Sequence, residues 1–218
     1  MNRRVTLLPQ KVHYTRVEYL ESREGGQNDV RAYIQLPFDY DLTQDTIAFE
    51  TEHELSNTNS NMLELYSLDG HALNWGYLID GGYVIRYDSD DSTVEKTHSF
   101  TQTDGFHVWH CECSPKYLNM YVDSVRKVHV DFARPLIHRK KWPLCVFGVI
   151  TDSHEYYSSW PMLCKKKYFK AWKNGQLIYS LIPAVDSAGI PCMCNELDET
   201  LHYSSGMNDF IAGPVIMP

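Results

Sequence analysis

Apolar and polar side chains alternate in short runs along most of this 218-residue chain. The sharpest run places Ile47, Phe49, Thr51, His53 and Leu55 on one side and Ala48, Glu50, Glu52 and Glu54 on the other, because successive residues of a strand point to opposite faces. It predicts a strand with one buried and one acidic face. The same reading predicts strands over residues 62–68, 73–79, 83–87, 94–100, 106–113, 117–122, 127–132 and 144–150, separated by turn residues. Residues 73–79 and 83–87 form a hairpin across Asp80-Gly81-Gly82, residues 56–60 form a polar turn, and residues 88–92 form a loop. In the run from Phe106, His107, Trp109, Cys111 and Cys113 face one way and Phe106, Val108, His110 and Glu112 the other. Bulky groups on both sides predict a central strand.

Near the C-terminus, Asn174-Gly175 stands between two apolar runs, 167–172 and 176–182. A two-residue type I′ turn needs positive φ at both central positions, which Asn-Gly supplies at low cost, so these runs form one hairpin. No segment sustains a helical period of useful length. The expected fold is all-β, a two-sheet antiparallel sandwich with few or no helices, in a single domain over 1–218 preceded by a short arm at about 1–11.

Composition narrows the function. The formal charge is −8, with 28 acidic against 20 basic residues, which disfavours a binder of nucleic-acid backbones. Two basic triplets stand out, Arg139-Lys140-Lys141 and Lys165-Lys166-Lys167. The second lies on a strand and reads as a charged sheet edge that discourages aggregation. The N-terminal residues lack the apolar stretch of a secretory signal, and no apolar run is long enough to cross a bilayer as a helix. The expectation is a protein made and kept in the cytoplasm unless it leaves within a particle.

The six cysteines include two Cys-x-Cys pairs, Cys111/Cys113 and Cys192/Cys194. Four converging thiolates could hold zinc, but structural zinc sites space their ligands differently. Reduced thiols acting as small apolar residues are the expected state.

The stretch Glu18-Tyr19-Leu20-Glu21-Ser22, followed by Tyr33-Ile34, opens the chain in a recognisable way. Asn174-Gly175, Leu181-Ile182-Pro183, the strand 189–194, Leu201-His202-Tyr203 and Ala212-Gly213-Pro214 close it. With these residues the chain resembles the laminin-G/concanavalin-A-like lectin-type domains of phage and prophage proteins and of gut-bacterial surface proteins. The resemblance is good at both ends and thin in the middle. There, Tyr121-Val122-Asp123 matches, Ser124 replaces the usual Gly, and residues 23–32 read as an insertion. It implies a concanavalin-A-like jelly roll whose two ends pair as border strands.

Some sandwiches of this shape are retaining glucanases, which need two carboxylates about 5–5.5 Å apart. The nearest match is Glu196-Leu197-Asp198, but Leu201 stands where the second Glu of that signature belongs, and Glu50, Glu52 and Glu54 lack the motif. No catalytic residues are assigned and no enzyme is expected. Carbohydrate binding is matched better, since aromatic rings stack on sugar faces while polar groups bond the hydroxyls. The candidate glycan contacts are Trp75, Tyr77, Tyr83 and Tyr87, and Tyr156, Tyr157 and Trp160. The first set alternates on strands, so half of it could equally be core. Asp88, Asp90 and Asp91 could donate oxygens to calcium, but their spacing is not that of an ordered calcium loop. A solvated acidic turn is the default, and no cofactor is assigned.

The resemblance, the missing signal and the absent carboxylate pair together imply a non-catalytic structural or attachment component of a phage particle: a capsid decoration, head fibre or tail module. Its expected partners are other virion proteins, further copies of itself and host surface glycans, with no nucleic acid and no membrane insertion. Alternatives are a bacterial surface adhesin module and a glucanase-like glycoside hydrolase. The interface candidates are residues 156–160 and 214–218.

Overall fold

The computed structural model describes residues 13–22, 32–41, 43–55, 73–78, 82–89, 92–99, 105–132, 144–147, 164–206 and 208–217, with the backbone alone between 73 and 99. These residues form sixteen strands, all pairings among them are antiparallel, and no helix occurs among them. The main sheet contains β4 (Ile47–Leu55), β8 (His107–Cys113), β9 (Tyr117–Val122), β10 (Val125–Asp131), β12 (Cys164–Lys173), β13 (Gln176–Asp186), β14 (Pro191–Asn195) and β15 (Leu201–His202). Their order across the sheet is β10-β9-β8-β4-β12-β13-β14-β15. The sheet also takes in β1 (Tyr14–Arg16), β2 (Leu20–Ser22) and β16 (Ile211–Ala212).

A second layer is built from β3 (Ile34–Leu36) and β11 (Leu144–Val146). Ile34, Leu36, Leu144, Val146 and Phe147 pack into one cluster with Phe49, Phe169, Trp109, Met120, Leu181 and Met193 of the main sheet. The Tyr179 hydroxyl ties the layers by donating to the Pro37 carbonyl. The predicted alternation of β4 holds, with Ile47, Phe49, Thr51 and His53 buried and Ala48, Glu50, Glu52 and Glu54 half-exposed. β8 lies between β4 and β9, as its two bulky faces predicted.

The Asn174-Gly175 hairpin forms as expected. Lys173 pairs with Gln176, and the turn residues take φ of 52° and 79°. The turn is also fastened sideways: Asn174 Oδ1 accepts from the Thr46 amide at 2.8 Å, and Asn174 Nδ2 donates to Asp45 at 2.8 Å. A second turn of the same kind joins β9 to β10, where Asp123 and Ser124 have φ of 49° and 65°. Ser124 thus occupies a left-handed position that glycine fills more easily.

The two ends meet. Ala212 pairs with Leu20 and Val215 bridges Val17. Between those pairs, Glu18 N donates to Pro214 O at 2.8 Å and Gly213 N donates to Tyr19 O at 2.8 Å. Gly213 lies against the Tyr19 ring so closely that an added Cβ would stand 2.9 Å from it. On its other side the N-terminal segment crosses from β13, where Arg16 opposes Ala184, to β12, where Leu20 opposes Lys166. Pro183 stands at that handover. Lacking an N–H, it contributes its carbonyl to the Val17 amide.

Two expectations need correction. Lys165-Lys166-Lys167 is not an edge but lies mid-sheet between β4 and β2, with Lys166 fully buried beneath the sheet. Residues 88, 89 and 92 of the expected loop belong instead to strands, β6 (Gly82–Ser89) and β7 (Ser92–Ser99), with Ser89 paired directly to Ser92. The four thiols do not converge: Cys111 and Cys113 enter the main core, while Cys192 and Cys194 pack on the opposite face of the sheet with Ile182 and Ala184. All six cysteines are buried and none is in a disulfide. Burial pushes Cys113 upward and Cys192 up to about 12, the state of inert thiols.

Candidate functional site

The alternation that buries Phe49 and Thr51 necessarily turns Glu50 outward, and the register then decides what surrounds it. Glu50 opposes His110 of β8 on one side and Lys170 of β12 on the other. His110 in turn opposes Tyr121 of β9, and Lys170 opposes Ser180 of β13. One row of polar and aromatic side chains thus crosses five strands on the solvent face: Tyr121, His110, Glu50, Lys170, Ser180. The neighbouring row runs from Asn119 through Glu112 and Ala48 to Trp172. Ala48, with its single methyl, lies between the two large groups Glu112 and Trp172.

Glu50 is the hub. One carboxylate oxygen accepts from the Tyr168 hydroxyl at 3.1 Å and lies 3.8 Å from Lys170 Nζ, while the other is 3.5 Å from His110 Nδ1. The His110 ring lies 6.0 Å from Trp172 and 5.9 Å from Tyr121, tilted to the first and edge-on to the second. Lys170 Nζ sits 5.0 Å above the Tyr168 ring, within cation–π reach. Burial, then the Glu50 charge beside it, raises the Tyr168 hydroxyl well above its ordinary value, so it remains a donor. At the flank, Tyr117 donates to Glu112 and is raised chiefly by that bond. Asn119 Oδ1 meets His129 Nδ1 at 2.8 Å.

Beyond this patch the acidic face is neutralised strand to strand. Lys165 reaches Glu54 at 3.1 Å and Lys167 reaches Glu52 at 2.6 Å. Lys167 also lies 4.1 Å over the Phe106 ring. The outer face is therefore of mixed sign rather than simply acidic.

Held this way, the patch offers an indole face, hydroxyl and ammonium donors and carboxylate acceptors on a rigid sheet. That combination suits a flat ligand rich in hydroxyls. Glu196-Leu197-Asp198 falls in the tight turn after β14, where Glu196 accepts from Ser180 Oγ at 2.9 Å and Asp198 accepts from the Thr200 amide at 2.9 Å. That backbone bond, foremost, holds Asp198 below the ordinary carboxylate range.

Of the residues expected from the sequence, Trp75, Tyr77, Tyr83 and Tyr87 lie on β5 (Leu73–Leu78) and β6, a hairpin that forms a three-stranded sheet with β7. Tyr77 opposes Tyr83, Trp75 opposes Ile85 and Leu73 opposes Tyr87. Backbone register assigns all four aromatic positions to one face of the hairpin. Tyr156, Tyr157, Trp160, Asp90 and Asp91 lie outside the described residues, as do the expected strand 62–68 and the turn 56–60. Sequence reasoning missed the patch around Glu50. Its signal was present in Tyr168, Lys170 and Trp172 on one strand and His110 on another, but only the pairings of β4 with β8 and β12 join them.

No family model matches the chain, and no curated protein matches it. Among solved structures it is similar to the mouse laminin alpha1 chain, domains LG4-5, at 12% identity and a TM-score of 0.49, over 74% of this chain and 44% of that one. The Caenorhabditis elegans galectin LEC-6 overlaps 65% of this chain and 90% of its own at 11% identity and a TM-score of 0.34. The binding domain of botulinum neurotoxin DC, in complex with rat synaptotagmin II, overlaps 75% and 41% at 6% identity and a TM-score of 0.40. The chain thus spans less than half of the laminin structure. At these scores the overlaps are a loose likeness of β-architecture.

Proposed function

We propose that this chain is a non-catalytic recognition module that binds a glycan across the solvent face of its main sheet. The observation that carries this reading is the Glu50-centred patch, where Trp172, His110 and Tyr121 surround a carboxylate already oriented by Tyr168 and Lys170. Such a network costs little to organise when ligand arrives, because its side chains are already fixed by one another. Trp172 supplies the stacking surface, Glu50 and Glu112 accept from sugar hydroxyls, and Lys170 and Tyr168 donate. The aromatic positions on β5 and β6, and Tyr156, Tyr157 and Trp160, are second-rank contacts in the same proposal. The biological setting we propose is an attachment or structural component of a phage particle. It is supported by the resemblance at residues 18–22 and 212–214, which form the paired ends of the sandwich.

The test is a glycan-array screen of the purified chain, with calcium and with chelator, repeated on Trp172→Ala and Trp75→Ala. The expected result is saturable binding that Trp172→Ala weakens by about tenfold or more, with the thermal melt still cooperative. Binding that survives Trp172→Ala but not Trp75→Ala moves the site to the three-stranded sheet. Binding to no glycan overturns the reading.

A further inference from the structure

Three side chains of the Glu50 patch are rings set in line across the strands. Trp172 of β12 reaches His110 of β8 across β4, with ring centroids 6.0 Å apart, and His110 reaches Tyr121 of β9 at 5.9 Å. Adjacent strands are about 4.8 Å apart, so the line from β12 to β9 covers roughly 14 Å, the length of about three linked pyranose rings. A single sugar covers one of these side chains; a ligand that meets Trp172 and Tyr121 together is a chain laid across the strands. Trp172, Lys170, Glu50, His110 and Tyr121 are all half-exposed along this track. It ends at Ser180, the next position of the row, which is 5% exposed and gives its hydroxyl to Glu196. The rings are also inclined, His110 by 58° to Trp172 and by 61° to Tyr121. No one plane contains them, so the face of a crystalline polysaccharide cannot lie flat on them, while a single solvated chain turns from ring to ring.

The charges on this face narrow the ligand further. Each ammonium of β12 here has its own carboxylate from β4: Lys170 lies 3.8 Å from Glu50, Lys167 2.6 Å from Glu52 and Lys165 3.1 Å from Glu54. An acidic sugar approaching any of these lysines meets the neighbouring glutamate as well, and like charges brought together at an interface oppose binding. Hydroxyls meet no such repulsion, since each can accept from Lys170 and donate to Glu50 without parting the pair. We infer that the patch holds a neutral, soluble, extended glycan of about three or more sugar units, running across the strands from Trp172 past His110 to Tyr121. The inference rests on the glycan reading of the Glu50 patch and names the ligand class of that site.

The experiment is isothermal titration of the full chain with neutral gluco-, manno-, galacto- and xylo-oligosaccharides of one to six units, with oligogalacturonates of the same lengths as the acidic arm and sialyllactose as the terminal-sugar arm. A neutral series is expected to bind at least about tenfold more tightly at three or four units than at one, and to level off beyond. A tenfold rise in salt should change that affinity by less than about twofold. Arg126→Glu, which reverses an exposed charge opposite Tyr121, should leave it unchanged. Tyr121→Ala should weaken the tetrasaccharide about fivefold and leave the disaccharide alone, with a melting curve as cooperative as that of the wild type. Affinity already complete at one or two units overturns the inference, as does tighter binding of oligogalacturonate or sialyllactose. Silence of every neutral series overturns it too. Hits of another kind on the glycan array then keep the patch as a glycan site, and a blank array removes both readings.

Discussion

Gly213 shows how one missing atom can fix a sequence motif. Its Cβ would stand 2.9 Å from the Tyr19 ring, so the Ala-Gly-Pro close of the chain and the Glu-Tyr-Leu-Glu opening depend on each other sterically. Gly213→Ala should destabilise by about 1–3 kcal/mol through overpacking. In urea titrations, Tyr19→Leu should absorb much of that loss; strict additivity would show that the contact is not the cause. A second residue, His202, reports on pH. Its ring lies edge-on to Tyr179 at 6.1 Å, and burial lowers its affinity for a proton, partly opposed by Asp198. A base with a depressed folded pKa contributes stability above its unfolded value of 6.5, and that contribution is lost as pH falls through the folded value. Between pH 7 and pH 5 the wild-type chain should therefore lose more stability than His202→Phe.

At the scale of elements, β12 carries an unusual load. It pairs with three strands along its two edges and encloses Lys166, fully buried, with Nζ 2.9 Å from Thr51 Oγ1 and 5.4 Å from the Phe147 ring. Lys166→Ala should cost about 2–5 kcal/mol through the space it leaves, and Lys166→Met, which loses the bond to Thr51 but refills most of that space, should cost less. Denaturation of both variants checks this. The same strand shows what was legible in the sequence and what was not. Asn174-Gly175 announced the hairpin and its turn, and the alternation of Ile47 to Leu55 announced both faces of β4, because those signals are local. The edge reading of Lys165-Lys166-Lys167 failed because position in a sheet is set by partners more than a hundred residues away. The Glu50 patch escaped for the same reason. Tyr121, His110, Glu50 and Lys170 become neighbours only through pairings between distant strands.

Across the sheet as a whole, four aspartates among the described residues are held below the ordinary carboxylate range. Asp123 is lowered first by its 2.6 Å bond to His107, Asp186 by the Ile190 amide and Asp198 by the Thr200 amide; burial raises Asp45, but Asn174, the Asp41 backbone and Lys173 together outweigh it and leave that carboxyl lowered. Carboxylates with depressed folded pKa values add stability above about pH 4, and that stability is lost as pH falls further. Urea midpoints should drop between pH 5 and pH 3, less steeply in Asp123→Asn. The ends of the chain carry a different consequence. Residues 16–21 and 211–216 run antiparallel, with Arg16 beside Ile216, so a pull on both termini acts at one end of the ladder. The C-terminal strand is loaded one hydrogen bond at a time, Ile216 to Arg16 first, as a zip fastener opens, while the N-terminal strand peels from β13 at Tyr14, Arg16 and Val17. Built into a larger assembly through both termini, the domain would yield first along these two seams of the sheet.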